Sequence, residues 1–190
     1  MTVELKPMLL SQDRHTLNLM DWDGWVFQVK YDGMRAIVKV TEDSTTVISR
    51  SGRDVTFRFH ECSQLHTEFP PGVYDGELYY TNPRTGLHEL PVIQKRNSFG
   101  AGRSKKMSLA LFDILELWGD DLTQKPLSTR ISLLDDATNE LHHIETHSHT
   151  DAEELFNATR ERGLEGIVGK KLSSIYLPGV RTTEWMKFKH

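Results

Sequence analysis

Short strand-like runs separated by turn residues dominate the first half of the chain and restrict the folds open to it. The predicted strands lie at 25–29, 36–40, 45–50 and 72–80, and a turn is predicted at 82–86. One helix is predicted in this half, at 58–68. Many strands joined by short turns of the antiparallel type favour an α+β fold over a doubly wound parallel sheet.

The second half mixes helices with strands. The predicted elements are a loop at 95–106, a buried strand at 108–117, helices at 126–141 and 150–162, and strands at 167–170 and 185–189. Pro126 suits a helix start, Thr150 and Glu153 have the spacing of a capping box, and Gly163 suits a helix end. Because no repeat or linker divides the chain, a single domain over 1–190 is predicted.

Composition predicts a cytoplasmic protein without a membrane span. The apolar fraction of 37% and the charged fraction of 26% are those of a soluble globular protein. Cys62 is the single cysteine, so no internal disulfide can form, which fits a reducing compartment. No apolar run reaches membrane length, and the first residues lack the regions of a secretory signal.

The net charge of −4 argues against a uniformly basic clamp for nucleic acid, but the cations are unevenly distributed. The first cluster is Lys95, Arg96, Arg103, Lys105 and Lys106, and the second is Lys170, Lys171, Arg181, Lys187 and Lys189. The first cluster is either a solvated loop or a docking site for a polyanion. The second lies among apolar residues, which predicts cations held on strands beside a core.

Lys30 opens the segment KYDGMR and is the candidate nucleophile. A lysine amine attacks phosphorus only when neutral, and at pH 7 the neutral form of an unperturbed lysine costs roughly 4–5 kcal/mol. Asp32 can orient the amine, and Arg35 offers a fork suited to a phosphate or a ribose hydroxyl. The alternative is a hairpin turn, since Asp32-Gly33 is a common turn dipeptide and strands are predicted on both sides.

Further segments follow Lys30 in an informative order. They are Arg50 in SRSG, Asp75 and Glu77 in DGE, Phe112 in LALFDIL, Glu165 in EGIVGKK, and Lys187 with Lys189 in WMKFK. Two lysines at alternate positions of a strand share one face, which suits a polyphosphate. Taken singly, Phe112 could be core, the two lysines a solvated strand face, and Glu165 part of a turn. The inference therefore depends on the whole ordered set.

In this order the segments resemble the motifs of covalent nucleotidyltransferases, and the whole chain is similar to the adenylation domain of ATP-dependent DNA ligases. The resemblance implies an ATP-grasp-like core, with antiparallel sheets flanked by helices around a nucleotide groove. It also implies that a lysine takes AMP from ATP, with Mg²⁺ or Mn²⁺, and passes it to the 5′-phosphate of nicked duplex DNA for sealing. Compact bacterial and phage ligases are the most similar members.

The resemblance also assigns roles by motif. Lys30 and Asp32 are the implied catalytic pair. The implied nucleotide-binding residues are Gln28, Lys30, Arg35, Glu77, Phe112, Lys170, Lys187 and Lys189. Within this set Phe112 stacks on adenine, Glu77 meets the ribose or a metal, and the last three lysines contact phosphates. Arg35 and Arg50 are implied at the 5′-phosphate of the nick, and Glu77 and Glu165 at the metal.

Two features depart from the family pattern. Gln28 stands where many of these ligases carry a glutamate facing the adenine amino group; because an amide oxygen can still accept from that group, adenine preference is expected to persist. The family's second, OB-fold domain is absent after Lys189, so a longer parent chain is expected. Without that domain the first step should be weak or absent, and DNA affinity low. A monomer is expected.

Three other functions use similar residues: RNA ligation, GTP-dependent mRNA capping, and nucleotide or nick binding without turnover. A zinc site is not predicted. The histidines at 142, 143, 147 and 149, and the group His60, Cys62 and His66, lack a convincing zinc spacing.

Overall fold

The computed structural model describes residues 6–12, 22–96, 105–138, 142, 144 and 146–190. The strands in these ranges are β1 (Leu9–Gln12), β2 (Trp25–Val29), β3 (Met34–Val40), β4 (Thr45–Ser49), β5 (Gly72–Tyr79), β6 (Ser108–Leu117), β7 (Asp120–Asp121), β8 (His147–Ser148), β9 (Gly166–Lys171) and β10 (Arg181–Lys189). The α-helices are α1 (Leu90–Gln94), α2 (Leu127–Ala137) and α3 (Ala152–Glu161). None of these helices is long and apolar enough to cross a membrane.

The strands form two sheets. The first sheet has the order β1-β10-β9-β2-β8 and the second the order β4-β3-β5-β6-β7. Every pairing is antiparallel except that of β1 with β10. Antiparallel sheets with few helices confirm the predicted α+β class. The first sheet takes strands from both ends of the chain. Its antiparallel pairing of β2 with β9 places the end of β2 beside the start of β9.

The segment after Lys30 crosses from one sheet to the other. β2 belongs to the first sheet and β3 to the second, so the simple hairpin considered for this segment is wrong. The Lys30 N–H donates to the Gly166 carbonyl at 2.9 Å, which fixes the start of the crossing. At Gly33 an added Cβ would lie 2.3 Å from the Leu78 carbonyl oxygen, so only glycine fits this close approach.

The second sheet is buried on both faces. Its side chains alternate between the faces, so neighbouring residues of one strand enter different apolar clusters. On β3, Val38 enters a cluster with Phe59 and Leu111, while its neighbour Ile37 enters another with Trp185. The second of these clusters joins the two sheets, since Trp185 belongs to β10 of the first sheet. A third cluster packs α3 beneath the first sheet, through Ala152, Phe27, Ile167 and Phe188.

The helix predicted at 58–68 is wrong. This stretch forms three short 3-10 turns, Thr56–Arg58, His60–Cys62 and Leu65–Thr67. Phe59 interrupts them with φ −125° and ψ 65°, and its side chain is fully buried. Burial of Phe59, Cys62 and Leu65 against the second sheet therefore overrides the helical spacing.

The capping box predicted at Thr150 and Glu153 does not form. The N-cap of α3 is Asp151, with no side-chain bond to the helix, and Ser148 Oγ donates to the Asp151 carboxylate instead. The predicted helix end is confirmed, because Gly163 has φ +67° just beyond α3. The helix predicted at 126–141 is confirmed from Leu127 to Ala137, and 139–141 lie outside the described residues.

The first basic cluster is solvated only in part, since Lys95, Lys105 and Lys106 are exposed but Arg96 is not. Arg96 is buried and binds the Glu61 carboxylate through two nitrogens, at 2.7 and 2.9 Å. Its guanidinium fixes the 3-10 turns under the second sheet. Arg103 lies outside the described residues.

Candidate active site

Two adjoining cavities lie where the sheets meet. The larger, which we call the cleft, has a volume of about 560 Å³ and is lined by Lys30, Arg35, Arg50, Glu77 and Lys187 among others. The smaller, which we call the inner cavity, shares Lys30, Arg35 and Glu77 with the cleft and adds Gln28, Phe112, Val168 and Lys170. The volume of the cleft falls within the range of roughly 300–1,000 Å³ typical of small-molecule sites.

Lys30 lies at the end of β2 and forms an ion pair with Glu165, which immediately precedes β9. The other carboxylate oxygen of Glu165 binds Lys189. Burial alone would raise the pKa of Glu165, but hydrogen bonds and charge from Lys189 and Lys30 hold it below its ordinary value. In this arrangement the Lys30 side chain is engaged by Glu165 and has to leave that carboxylate before it can attack.

In the described part of the chain, the Lys30 amine binds Glu165, and no hydrogen bond or ion pair joins it to Asp32. Asp32 lines a separate cavity with His88 and Glu165, and its N–H lies 3.5 Å from His88 Nδ1. His88 in turn stacks on Tyr31, with ring centroids 4.7 Å apart and 12° between the planes. His88 therefore braces the segment that follows the candidate nucleophile.

Arg35 is held on β3 by a two-pronged ion pair. Its Nε and one terminal nitrogen each lie 2.6 Å from an oxygen of Asp75, which is fully buried and also accepts a hydrogen bond from Tyr176. The guanidinium carbon lies 4.4 Å from the centroid of Phe112. Because two of its nitrogens are engaged, Arg35 offers the cleft a fixed and restricted set of donors.

Glu77 lies opposite Arg35 in the pairing of β5 with β3. Burial raises the pKa of Glu77 to about 7, against the opposing charges of Arg35 and Lys30. Near neutral pH this carboxyl therefore exists in both protonation states.

Phe112 and Lys170 form the floor of the inner cavity. The Lys170 ammonium lies 4.1 Å from the Phe112 ring centroid and 4.4 Å from that of Trp185. Burial lowers the pKa of Lys170 to about 7. The structure thus places Lys170 beside the predicted stacking residue Phe112, at the inner end of the site and away from the exposed Arg50.

Lys187 and Lys189 lie on β10, opposite Val168 and Gly166 of β9. Lys187 lines the cleft and Lys189 binds Glu165, so both approach Lys30 as expected for one strand face. Burial, together with the charges of Lys189 and Lys30, lowers the pKa of Lys187. Cations outnumber carboxylates among the residues that line the cleft, which makes the cleft suitable for an anion.

Sequence reasoning missed Arg58, which lines the cleft. Its Nε donates to the Arg96 carbonyl at 3.0 Å and a terminal nitrogen to that of Ile93 at 3.1 Å. Arg181, assigned only to the second basic cluster, also lines the cleft. No local signal distinguishes Arg58, because its position depends on the turn at Phe59.

No three His, Cys, Asp or Glu side chains converge as a ready-made metal site in the described part of the chain. The two predicted metal-binding carboxylates, Glu77 and Glu165, still carry the hard oxygen donors that Mg²⁺ and Mn²⁺ prefer. In Glu165 both oxygens are engaged by lysines. The donor chemistry therefore fits, with the condition that Glu165 first releases a lysine.

Two sheets enclosing a lysine-bearing cleft define the nucleotidyltransferase domain of ATP-dependent ligases, and solved structures agree. The mycobacterial DNA ligase D complexed with ATP superimposes with a TM-score of 0.81 and 29% identity, over 98% of this chain and 60% of that one. The Chlorella virus DNA ligase-adenylate shares the fold, with a TM-score of 0.64 and 18% identity over 97% of this chain and 68% of that one.

Residues 7–189 match the family described as the ATP dependent DNA ligase domain, and the chain belongs to this family. A probable DNA ligase of Mycobacterium marinum is 32% identical over 174 residues, which are 86% of this chain and 34% of that protein. The multifunctional non-homologous end joining DNA repair protein LigD of Mycobacterium tuberculosis is 30% identical, over 98% of this chain and 24% of that protein. The chain thus spans about a third or less of these relatives.

Proposed function

We propose that this chain is the catalytic adenylation domain of a DNA ligase, with Lys30 as the nucleophile. In the first step the neutral Lys30 amine attacks the α-phosphorus of ATP, pyrophosphate leaves, and the amine proton passes to solvent. AMP then moves from the phosphoramidate to the 5′-phosphate of a nick, which restores the amine. Finally the 3′-hydroxyl attacks that phosphate and AMP leaves.

The observation that carries this proposal is the position of Lys30 within a cluster of cations at the cleft. Lys187 lines the same wall, and Arg35 is fixed beside it by Asp75. Charge accumulates on phosphoryl oxygens during such a transfer, so fixed cations stabilise the transition state more than the ground state.

Glu165 would hold Lys30 in place before ATP binds and would turn to a divalent cation afterwards, with Glu77 as the second oxygen donor. When bound, Mg²⁺ or Mn²⁺ would neutralise charge on the phosphates. The remaining roles follow from position. Phe112 would stack on the base in the inner cavity, Gln28 would meet its edge, and Arg50 would face the 5′-phosphate of the nick.

The test is the intact mass of the protein after incubation with Mg²⁺ and either ATP or GTP. We expect a gain of one AMP from ATP alone, lost in Lys30→Ala and retained in Lys125→Ala, which changes an exposed lysine outside the cleft. A GMP adduct would instead indicate the capping reaction. If no adduct forms, sealing of a pre-adenylated nick decides: failure there as well would contradict catalysis and favour a binding module.

Nicked duplex DNA as the substrate, the OB-fold domain in a longer parent protein, the monomeric state and the cytoplasmic location stay predictions. A nick with a 3′-ribose end, compared with a 3′-deoxyribose end, separates RNA from DNA ligation.

A further inference from the structure

Among the described residues, the Gln28 amide uses its nitrogen, and not its oxygen, for a hydrogen bond. Its side chain lines the inner cavity although the residue is only 3% exposed. The amide nitrogen donates to Thr146 Oγ1 at 2.9 Å, while no described residue donates to the amide oxygen. A polar atom that faces a cavity without a partner is a natural contact for a ligand, since leaving it unpaired is unfavourable.

Thr146 immediately precedes the short strand β8, and the pairing of β8 with β2 sets its position. β2 pairs with β8 through Val26 with Ser148 and Phe27 with His147, so the next residue on each side brings Thr146 opposite Gln28. A threonine hydroxyl both donates and accepts, so contact with Gln28 alone would not decide which end of the amide faces the cavity. A second bond is needed to set the direction.

That second bond runs to the backbone. The Thr146 hydroxyl donates to the Ile144 carbonyl at 3.4 Å, which leaves its lone pairs to accept from Gln28. The chain of bonds then has one direction, from the Gln28 amide nitrogen to Thr146 and from Thr146 to Ile144. The Gln28 oxygen is thereby turned toward the inner cavity as an acceptor.

We infer that Thr146 is a positioning residue, which favours a 6-aminopurine nucleotide by holding the Gln28 amide in this orientation. The 6-amino group of adenine can donate to the Gln28 oxygen. A 6-oxo purine, as in guanosine or inosine nucleotides, would place an acceptor against an acceptor. The inference deepens the proposed function and rests on it, because it assumes that the purine occupies the inner cavity beside Phe112 and that this cavity, about 50 Å³ in volume, widens to admit it.

The test compares dissociation constants for ATP, inosine triphosphate and GTP, measured by calorimetry with EDTA so that no covalent step occurs. Inosine isolates the 6-position because it lacks the 2-amino group of guanine. We expect the unsubstituted protein to prefer ATP over inosine triphosphate by about tenfold or more. In Thr146→Val, which keeps the shape but loses the hydroxyl, the amide can turn over and the ratio should fall by about fivefold.

Two further variants separate this role from a structural one. Thr146→Ser retains the hydroxyl and should keep the ratio of the unsubstituted protein. In a Gln28→Glu background both oxygens accept, so adding Thr146→Val should not change the ratio. An unchanged ratio in Thr146→Val, or equal losses in Thr146→Val and Thr146→Ser, would overturn the inference while the proposed function stands. Failure of the unsubstituted protein to bind any of the nucleotides would overturn the inference, and the intact mass after incubation with Mg²⁺ and ATP decides the proposed function separately.

Discussion

Lys30 is paired with a carboxylate that lies 135 positions away in the sequence. The local motif pointed to Asp32 as its partner, but Glu165 makes the direct contact and is itself shared with Lys189. The residues next to Lys30 in the segment KYDGMR were enough to identify it as the candidate nucleophile. Its actual electrostatic environment depends on β9 and β10 lying beside β2.

Glu77 should make stability depend on pH near neutrality. Burial raises its pKa from 4.5 to about 7, so between these values the folded protein keeps a proton that the unfolded chain releases. Its contribution to stability is therefore present below pH 4.5 and lost as the pH rises through 7. Glu77→Gln stays neutral and should be more stable than the unsubstituted protein at pH 8, by at most about 3 kcal/mol.

Urea unfolding at pH 5 and pH 8 measures this difference. Glu42→Gln, which changes an exposed residue between β3 and β4, is the matched control and should show the same stability change at both pH values. If Glu77→Gln gains no more stability over the unsubstituted protein at pH 8 than at pH 5, burial does not raise the pKa of this carboxyl.

At the scale of elements, Gly166 sets the start of β9. It has φ +135°, and an added Cβ would lie 2.0 Å from the Phe188 carbonyl oxygen on β10. Gly166→Ala should therefore cost more than about 3 kcal/mol and shift the adjoining Glu165. Gly119→Ala is the control, since Gly119 has φ +86° but no atom within 4 Å of its Cβ position, and should cost about 1 kcal/mol.

Urea unfolding gives both costs, and intact mass after incubation with ATP reports on the site. We expect loss of the AMP adduct in Gly166→Ala and retention in Gly119→Ala. Equal stability losses at the two glycines would show that β10 can move aside.

Most elements were predictable because their residues carry a strong local signal. The apolar run of β6 and the Pro126 start of α2 are examples. β1, α1, β7 and β8 were not predicted. The three strands have at most four residues, too few for a periodic pattern, and α1, with five residues, spans less than two helical turns. β1 exists because β10 provides a parallel partner.

At the scale of the whole molecule, Tyr176 links the two sheets. Its hydroxyl donates to Asp75 of β5 and accepts from the Met8 N–H, which lies just before β1. Tyr176→Phe leaves a buried N–H unpaired and should cost about 1–3 kcal/mol. Nucleotide affinity should fall too, because Asp75 also holds Arg35.

Tyr74→Phe is the matched control, since the Tyr74 hydroxyl donates to the Pro70 carbonyl at 2.7 Å, close in sequence. It should leave nucleotide affinity unchanged. Urea unfolding and calorimetry with ATP supply the two readouts, and a single unfolding transition is expected because one apolar cluster spans both sheets. Normal affinity in Tyr176→Phe would show that Arg35 does not need this link.

The sequence alone determined the α+β class, the ordered motifs and the residue types from which the site is built, because strand periodicity and side-chain chemistry are local properties. Only the tertiary structure decided which of those residues meet: Lys30 with Glu165, Arg35 with Asp75, Lys170 with Phe112, and Gln28 with Thr146. These contacts join segments tens of residues apart. Strand order and burial, which no local pattern encodes, bring them together.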